Sequence, residues 1–320
     1  MKAVTIASVK NENSLVDVKT PKLVDGQVLI KIHAVGVNHV DLLWADQKVK
    51  SDDTIPGLEV AGEIVESKST DYHKGQRVMT LLDNGGYAEY VAVNQERIML
   101  VPDNIDYDVA ATIPESYLTA YQTLFTIGNL KDNQSVLIHA GASGVGTAAI
   151  QLVKKLTNAQ VITTSSSKKT AICLNYGADV AIDYTSQDFV EEVRKTTDNR
   201  GVDLIIDFIG ASYFQQNIAS LAFEGKLVLV GNLGGSIVEN MNIMDIIGKR
   251  VSVEGTLLST RSNQYKADLI SAFSKDVLPL LNDNQIDLKF GNHFKLSESR
   301  DALACMRNKE NIGKIILTVD

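Results

Sequence analysis

The chain has 320 residues, enough for about two domains at roughly 150 residues each. Hydrophobic residues make up 44% and charged residues 22%, the balance of a folded protein and not of a disordered one. Lys plus Arg number 31 against 39 Asp plus Glu, a formal charge of −8, and no Lys/Arg-rich run stands out, which argues against a nucleic-acid or anionic-membrane surface.

Only Cys173 and Cys305 are present, too few for a disulfide framework or a four-cysteine zinc site, as expected in a reducing cytosol. The opening MKAVTIASVKNEN has no apolar signal core, and no run of 18 apolar residues follows, so a cytoplasmic protein is expected. To about residue 115 the pattern is one of short strands: VLIKIHAVGV (28–37), EVAGEIVES (59–67) and GGYAEYVAV (85–93), divided by Gly, Asp and Asn clusters. From about 118 to 259 the apolar runs VLIHA (136–140), VITT (161–164), VAID (180–183), DLIIDFIG (203–210), KLVLVG (226–231) and VSVEGT (251–256) alternate with helical stretches such as 146–156 and 187–197. That alternation predicts βαβ units and a buried parallel sheet. A helix over 265–281 and a closing strand, KIILTV (314–319), end the chain. The closing strand fits the N-terminal β half better than a finished parallel sheet. The expected organisation is therefore an α/β domain, 119–259, inserted in a β domain made of 1–118 and 260–320.

The strongest local signal is VLIHAGASGVGTAAIQLVKKL (136–156), a strand running through Gly141-Ala142-Ser143-Gly144-Val145-Gly146 into a helix. Glycines permit a tight turn and close backbone approach to a pyrophosphate, and the helix N-terminus supplies free N–H groups and positive potential. The spacing is GxxGxG, a variant of the usual fingerprint; a plain glycine-rich strand–helix turn is the bland alternative. The second strand of the series ends in Ser165-Ser166-Ser167-Lys168-Lys169, without the acidic residue that binds a ribose diol in NAD sites. Hydroxyls and cations suit a 2′-phosphate, so the expected cofactor is NADPH. The other reading is a serine cap followed by solvated lysines.

Several segments together resemble a zinc-independent member of the medium-chain dehydrogenase/reductase superfamily, on the quinone oxidoreductase branch. They are GVNHVDLL (36–43), PGLEVAGEIVE (56–66), GGYAEYVAV (85–93), IPESYLTAYQTL (113–124), IHAGASGVGTAAIQL (138–152), DFIGASYFQQN (207–217) and NIGKIIL (311–317). Within the branch the chain is most similar to the tumour-suppressor-inducible quinone oxidoreductase group. The resemblance implies an α/β fold: a GroES-like, mainly β domain holding both termini, plus a Rossmann-type doubly wound parallel-sheet domain. Zinc-dependent relatives use a Cys after the strand at 28–37 and a His in Gly-His-Glu. Here those places hold Asn38 and Leu58, neither able to replace a thiolate or an imidazole, so no metal is expected.

By the same resemblance, Asn38 and Asp41 lie at the nicotinamide. Asn38 would orient its carboxamide or donate to the reduced oxygen, and is otherwise a buried turn residue; Asp41 is equally a helix-starting cap. Relatives place a substrate-facing tyrosine near the position of Val49, and its absence removes the obvious proton donor. Trp44 would line the pocket instead, or simply pack. Gly141, Ser143, Gly144, Val145 and Gly146 would cradle the pyrophosphate. Ser166 and Lys169, with Lys168 as alternate, would hold the 2′-phosphate. Tyr184 would lie by the adenine ribose, or pack in the core. Gly210, Gly231, Asn232 and Leu233 end the fourth and fifth strands and should border the nicotinamide half. Thr119 and Thr256 are candidate backbone or hydroxyl contacts, and Asn311 matches a position near the cofactor. The expected activity is NADPH-dependent hydride transfer to a quinone, with alkenal or enone reduction, or a non-catalytic NADPH-loaded binding protein, as alternatives. A homodimer formed by edge pairing of Rossmann sheets is implied, with no nucleic-acid or membrane partner.

Overall fold

The computed structural model describes residues 1–11, 14–47, 50–288, 290–311 and 313–320; Val49 lies outside them. The chain divides into two units, one of Met1–Leu118 with Arg261–Asp320, the other of Thr119–Thr260.

In the first unit the strand Gln27–Val37 is the hub. Its ends, Val28–Ile30 and Ala34–Val37, are buried on both faces, while Lys31 and His33 between them are half-buried. The seven-stranded sheet runs Phe290–Lys295, Lys314–Thr318, Gln27–Val37, Glu59–Ser67, Arg77–Leu81, Ile98–Leu100, with Tyr90–Asn94 also paired to the hub. The closing strand thus pairs antiparallel with the hub, Ile315 opposite Val37, which brings Lys314 level with Asn38. Val60 lies opposite Val35 on the other side, setting Glu59 against Gly36. A Cβ at Gly36 would overlap the Glu59 carboxylate and the Ala111 carbonyl, so only glycine leaves room for that buried acid. The strand expected over 85–93 begins only at Tyr90. Before it, Gly85 takes φ +97°, and the N–H groups of Gly86 and Tyr87 donate to Gly57 and Pro56 carbonyls, forming a loop instead.

The second unit is a six-stranded, all-parallel sheet. Its order is Val180–Asp183, Gln160–Ser165, Ser135–Ile138, Val202–Asp207, Leu221–Leu229, Ser252–Gly255. Numbered within the unit this is 3-2-1-4-5-6, the doubly wound Rossmann order, whose switch point lies between the first and fourth strands. Leu137, Ile162 and Ile205 from the sheet pack with Phe189, Val193 and Ile218 from the helices. Strand one stops at Ile138 because Ala140 turns to φ 52°. Strand four stops at Asp207, whose carboxylate accepts the N–H groups of Ile209 and Gly210 and folds the chain back. Among the described residues no helix is long and apolar enough to cross a membrane.

Candidate functional site

The second unit places a closed turn at the carboxyl end of its first strand. Ser143 caps the helix Gly144–Leu156, its Oγ accepting the Gly146 N–H at 3.0 Å. The Gly141 N–H donates to the Thr164 carbonyl at 2.9 Å, pinning the turn to the second strand. A Cβ on Gly146 would lie 2.7 Å from the Gly141 backbone and closer still to the Ala140 carbonyl; one on Gly141 would lie 2.7 Å from Thr163 Cβ. Backbone alone therefore forms the cradle. The first-turn N–H groups of Gly144 and Val145 lack acceptors within the helix, and the macrodipole adds positive potential, so the turn fits a diphosphate.

Beside it, Ser166 precedes a single 3-10 turn, Ser167–Lys169, with Lys168 exposed and Lys169 half-buried. The parallel register sets Asp183 of the third strand opposite Ser165. The sequence shows no carboxylate on the second strand, and the sheet supplies one from its neighbour. Hydrogen bonds from the hydroxyl and N–H of Thr185, then from the hydroxyls of Ser186 and Ser167, hold the Asp183 carboxyl below the usual range. It is charged at neutral pH, but its oxygens are turned into its own loop. Tyr184 follows, about half exposed, so it is not core packing.

Deeper in the same unit, Asp207 accepts from Ile209 N–H at 2.7 Å, Gly210 N–H at 3.0 Å and Asn217 Nδ2 at 3.1 Å. Asn217 Oδ1 lies 2.7 Å from His139 Nε2, and His139 Nδ1 lies 2.9 Å from Thr164 Oγ1. Burial raises the Asp207 carboxyl to about 6 and lowers the His139 imidazole to about 4. Gly210, at φ +82°, and the loop Gly231–Leu233 meet backbone to backbone: Leu233 N–H donates to Phe208 O and Gly234 N–H to Ile209 O. Asn232 Nδ2 donates to Ser236 Oγ, and Leu233 is exposed. Thr256 N–H extends the fifth-strand pairing through Leu229 O, and buried Thr119 offers its carbonyl to Thr123 Oγ1.

The first unit gathers a different cluster. Asn38 stands just before the helix His39–Gln47, and Asp41, in its first turn, accepts the Asn38 N–H at 2.8 Å, half of a capping box. Asp41 also accepts from Gly57 N–H at 3.1 Å and from the Tyr87 hydroxyl at 3.3 Å. Burial dominates over these donors and lifts its carboxyl to about 6. The Asn38 amide is committed on both edges. Nδ2 donates to Gly36 O at 3.2 Å and to Glu59 Oε1 at 3.0 Å, while Oδ1 accepts from Lys314 Nζ at 2.7 Å. Lys314 is ion-paired with Glu59, which is fully buried and also accepts the Glu115 N–H at 2.8 Å. Trp44 is buried with Ile6 and Leu58, the Lys50 ammonium lying 5.2 Å from its ring centroid. Asn311 Nδ2 donates to Gly313 O at 2.8 Å. Sequence reasoning passed over Glu59, Tyr87 and Lys314. Glu59 and Lys314 both stood in segments already singled out, Glu59 after Gly57-Leu58 and Lys314 in NIGKIIL, each a charge within an apolar run. Among the described residues no group of three His, Cys, Asp or Glu side chains is placed to hold a metal ion.

A Rossmann-order sheet with a backbone anion cradle, alongside a separate mainly β unit, defines a dehydrogenase-type oxidoreductase. Residues 24–103 match the alcohol dehydrogenase GroES-like domain and residues 144–275 the zinc-binding dehydrogenase family. The chain is 31% identical over 319 residues to a synaptic vesicle membrane protein VAT-1 homolog of Danio rerio, covering 94% of this chain and 66% of that protein, so it spans about two thirds of that relative. It is 29% identical over 305 residues to a quinone oxidoreductase-like protein 2 homolog of Nematostella vectensis, covering 93% of this chain and 83% of that one. A mycobacterial protein solved in complex with NADPH superposes with a TM-score of 0.87 at 28% identity, over 99% of both chains. The chain belongs to the medium-chain dehydrogenase/reductase family, on its quinone oxidoreductase branch.

Proposed function

We propose that this oxidoreductase uses NADPH, without zinc, to reduce a conjugated carbonyl, a quinone first of all. The observation that carries the cofactor half is the backbone cradle at Gly141–Gly146 beside the hydroxyl-and-lysine turn at Ser166–Lys169. In this reading the N–H groups of Gly144 and Val145 hold the diphosphate, and Ser166, Lys168 and Lys169 hold the 2′-phosphate. Tyr184 would flank the adenosine, and Gly210, Gly231, Asn232, Leu233, Thr119, Thr256 and Asn311 would contact the rest of the cofactor. Asn38 is acceptor-only, because both Nδ2 hydrogens are spent on Gly36 and Glu59. It therefore takes the carboxamide N–H and does not donate to a reduced oxygen. When bound, the reduced nicotinamide supplies a hydride.

The metal-free reading rests on what fills the two ligand places. Leu58 is buried in an apolar cluster, and an ammonium stands 2.7 Å from Asn38 Oδ1, where a divalent cation would be repelled. Without a Lewis acid, a conjugated acceptor suits the site because the incoming charge spreads over the π system. A proton then comes from water or a pocket hydroxyl. We further propose a cytoplasmic homodimer formed through the edge strand Ser252–Gly255, which exposes Val253 and is followed by exposed Leu257.

The purified protein should oxidise NADPH with an ortho-quinone, prefer it to NADH, and ignore a chelator. Equal use of NADH would defeat the 2′-phosphate assignment, and a higher kcat/KM on a short alkenal would move the substrate to the enone class. Sedimentation as a monomer would remove the dimer.

A further inference from the structure

The amide of Asn38 has a fixed polarity, and the residues that fix it come from opposite ends of the chain. Lys314 opens the closing strand and reaches Asn38 through the register of Ile315 with Val37. Glu59 starts its strand on the hub's other side and reaches the same amide from there. Turning the amide over would set Nδ2 against the Lys314 ammonium and Oδ1 against the Glu59 carboxylate and the Gly36 carbonyl. Each of these is a pairing of like with like. Lys314 leaves one lone pair on Oδ1 unused, and Asn38 is half-buried, so that lone pair is what the residue offers a ligand.

We propose that the Lys314–Glu59 pair is a positioning device that locks Asn38 as a hydrogen-bond acceptor and thereby gives the protein its selectivity for a cofactor bearing a carboxamide N–H. This rests on the reading that Asn38 meets the nicotinamide. The pair does not itself touch the cofactor. Its burial explains why the lock is stiff: Glu59 has no exposed surface and Lys314 very little, so neither charge can be satisfied by water when its partner is removed.

The test compares dissociation constants, by calorimetry, for NADP⁺ and its 3-acetylpyridine analogue, in which a methyl group replaces the amide nitrogen. Wild type should bind the analogue about tenfold more weakly, the loss of one hydrogen bond. Lys314→Met combined with Glu59→Gln removes both charges that fix the amide, without stranding either, and should bring the ratio close to one; Lys314→Arg should keep it, and Asn38→Ala should abolish it. Glu59→Gln alone leaves Lys314 on Oδ1, should lower the ratio only in part, and serves if the double variant does not fold. Adenosine 2′,5′-bisphosphate, which lacks the nicotinamide, should bind all folded variants alike. A ratio unchanged in the double variant, or in Glu59→Gln where the double variant does not fold, while Asn38→Ala abolishes it, overturns the positioning role and leaves the Asn38 contact standing. A ratio near one already in wild type overturns the contact itself, and the positioning role with it.

Discussion

Replacing Asp41 with Asn tests whether its carboxylate is as costly to bury as the structure implies. The side chain is 1% exposed, and its carboxyl is raised from 3.8 to about 6, chiefly by burial. In the unfolded chain it titrates at the ordinary value. The native state therefore binds more protons than the unfolded state between the two values, and stability falls as pH rises through that window. This contribution is fully present below 3.8 and lost above about 6. Integrating the shift gives about 3 kcal/mol in all, of which roughly 2 kcal/mol is lost between pH 4 and pH 7. Asp41→Asn cannot titrate. It also leaves one of the N–H groups of Asn38 or Gly57 facing an amide NH₂, a pH-independent cost of about 1–3 kcal/mol. The destabilisation measured by urea unfolding should therefore be about 2 kcal/mol larger at pH 4 than at pH 7. Other carboxylates, such as Asp203, are shifted down and act in the opposite sense, but they are common to both proteins and cancel in the difference. Equal destabilisation at the two pH values would refute the assignment of a raised carboxyl to Asp41.

Three further outcomes follow from the cradle and its surroundings. Gly146→Ala drives a methyl group into the backbone of Ala140 and Gly141, so it should cost about 1–3 kcal/mol in unfolding and weaken NADPH by more than tenfold in calorimetry; near-wild-type binding would mean that the turn does not hold the diphosphate. Gly248→Ala, in the helix Ile243–Lys249 with nothing within 4 Å of the new methyl, should stabilise by about 0.5–1 kcal/mol in the same urea assay. Lys168→Ala with Lys169→Ala should weaken NADPH by about tenfold or more and leave NADH unchanged, read from the two dissociation constants.

Apolar patterning made the parallel sheet of the second unit legible, because a strand covered on both faces is mainly apolar on both; Ile205 and Ile206 show this directly. The turn at Gly141–Gly146 was legible for a related reason, since two of its glycines stand where a methyl group has no room. The charged cluster around Asn38 was not. Lys314 and Asn38 lie 276 residues apart and meet only through the register of two strands, which no local pattern encodes. Asp183 was hidden in the same way, brought next to Ser165 by strand pairing. The π-helical segment Gln122–Ile127 was also beyond reach. Its hydrogen-bond shift leaves no mark in the residue types of QTLFTI, and buried Gln122 has no hydrogen-bond partner for its side chain.

The buried relay in the second unit shows how one acid sets the polarity of a whole region. Asp207, accepting two backbone N–H groups, offers only lone pairs, so Asn217 must present Nδ2 to it and Oδ1 to His139. That forces the proton of the neutral imidazole onto Nε2 and leaves Nδ1 to accept the Thr164 hydroxyl. His139 is the residue from which the chain turns into the Gly141 cradle, and Thr164 is the residue whose carbonyl pins that cradle. The turn after the fourth strand and the turn after the first are therefore held by one hydrogen-bond chain, with every donor and acceptor assigned by the single charge at its end. Protonating Asp207 would place a fourth hydrogen beside the three already donated to its oxygens, so the chain is fully matched only with that carboxylate ionised. Burial raises the Asp207 carboxyl to about 6, so it is ionised at neutral pH and the chain then has its full set of acceptors.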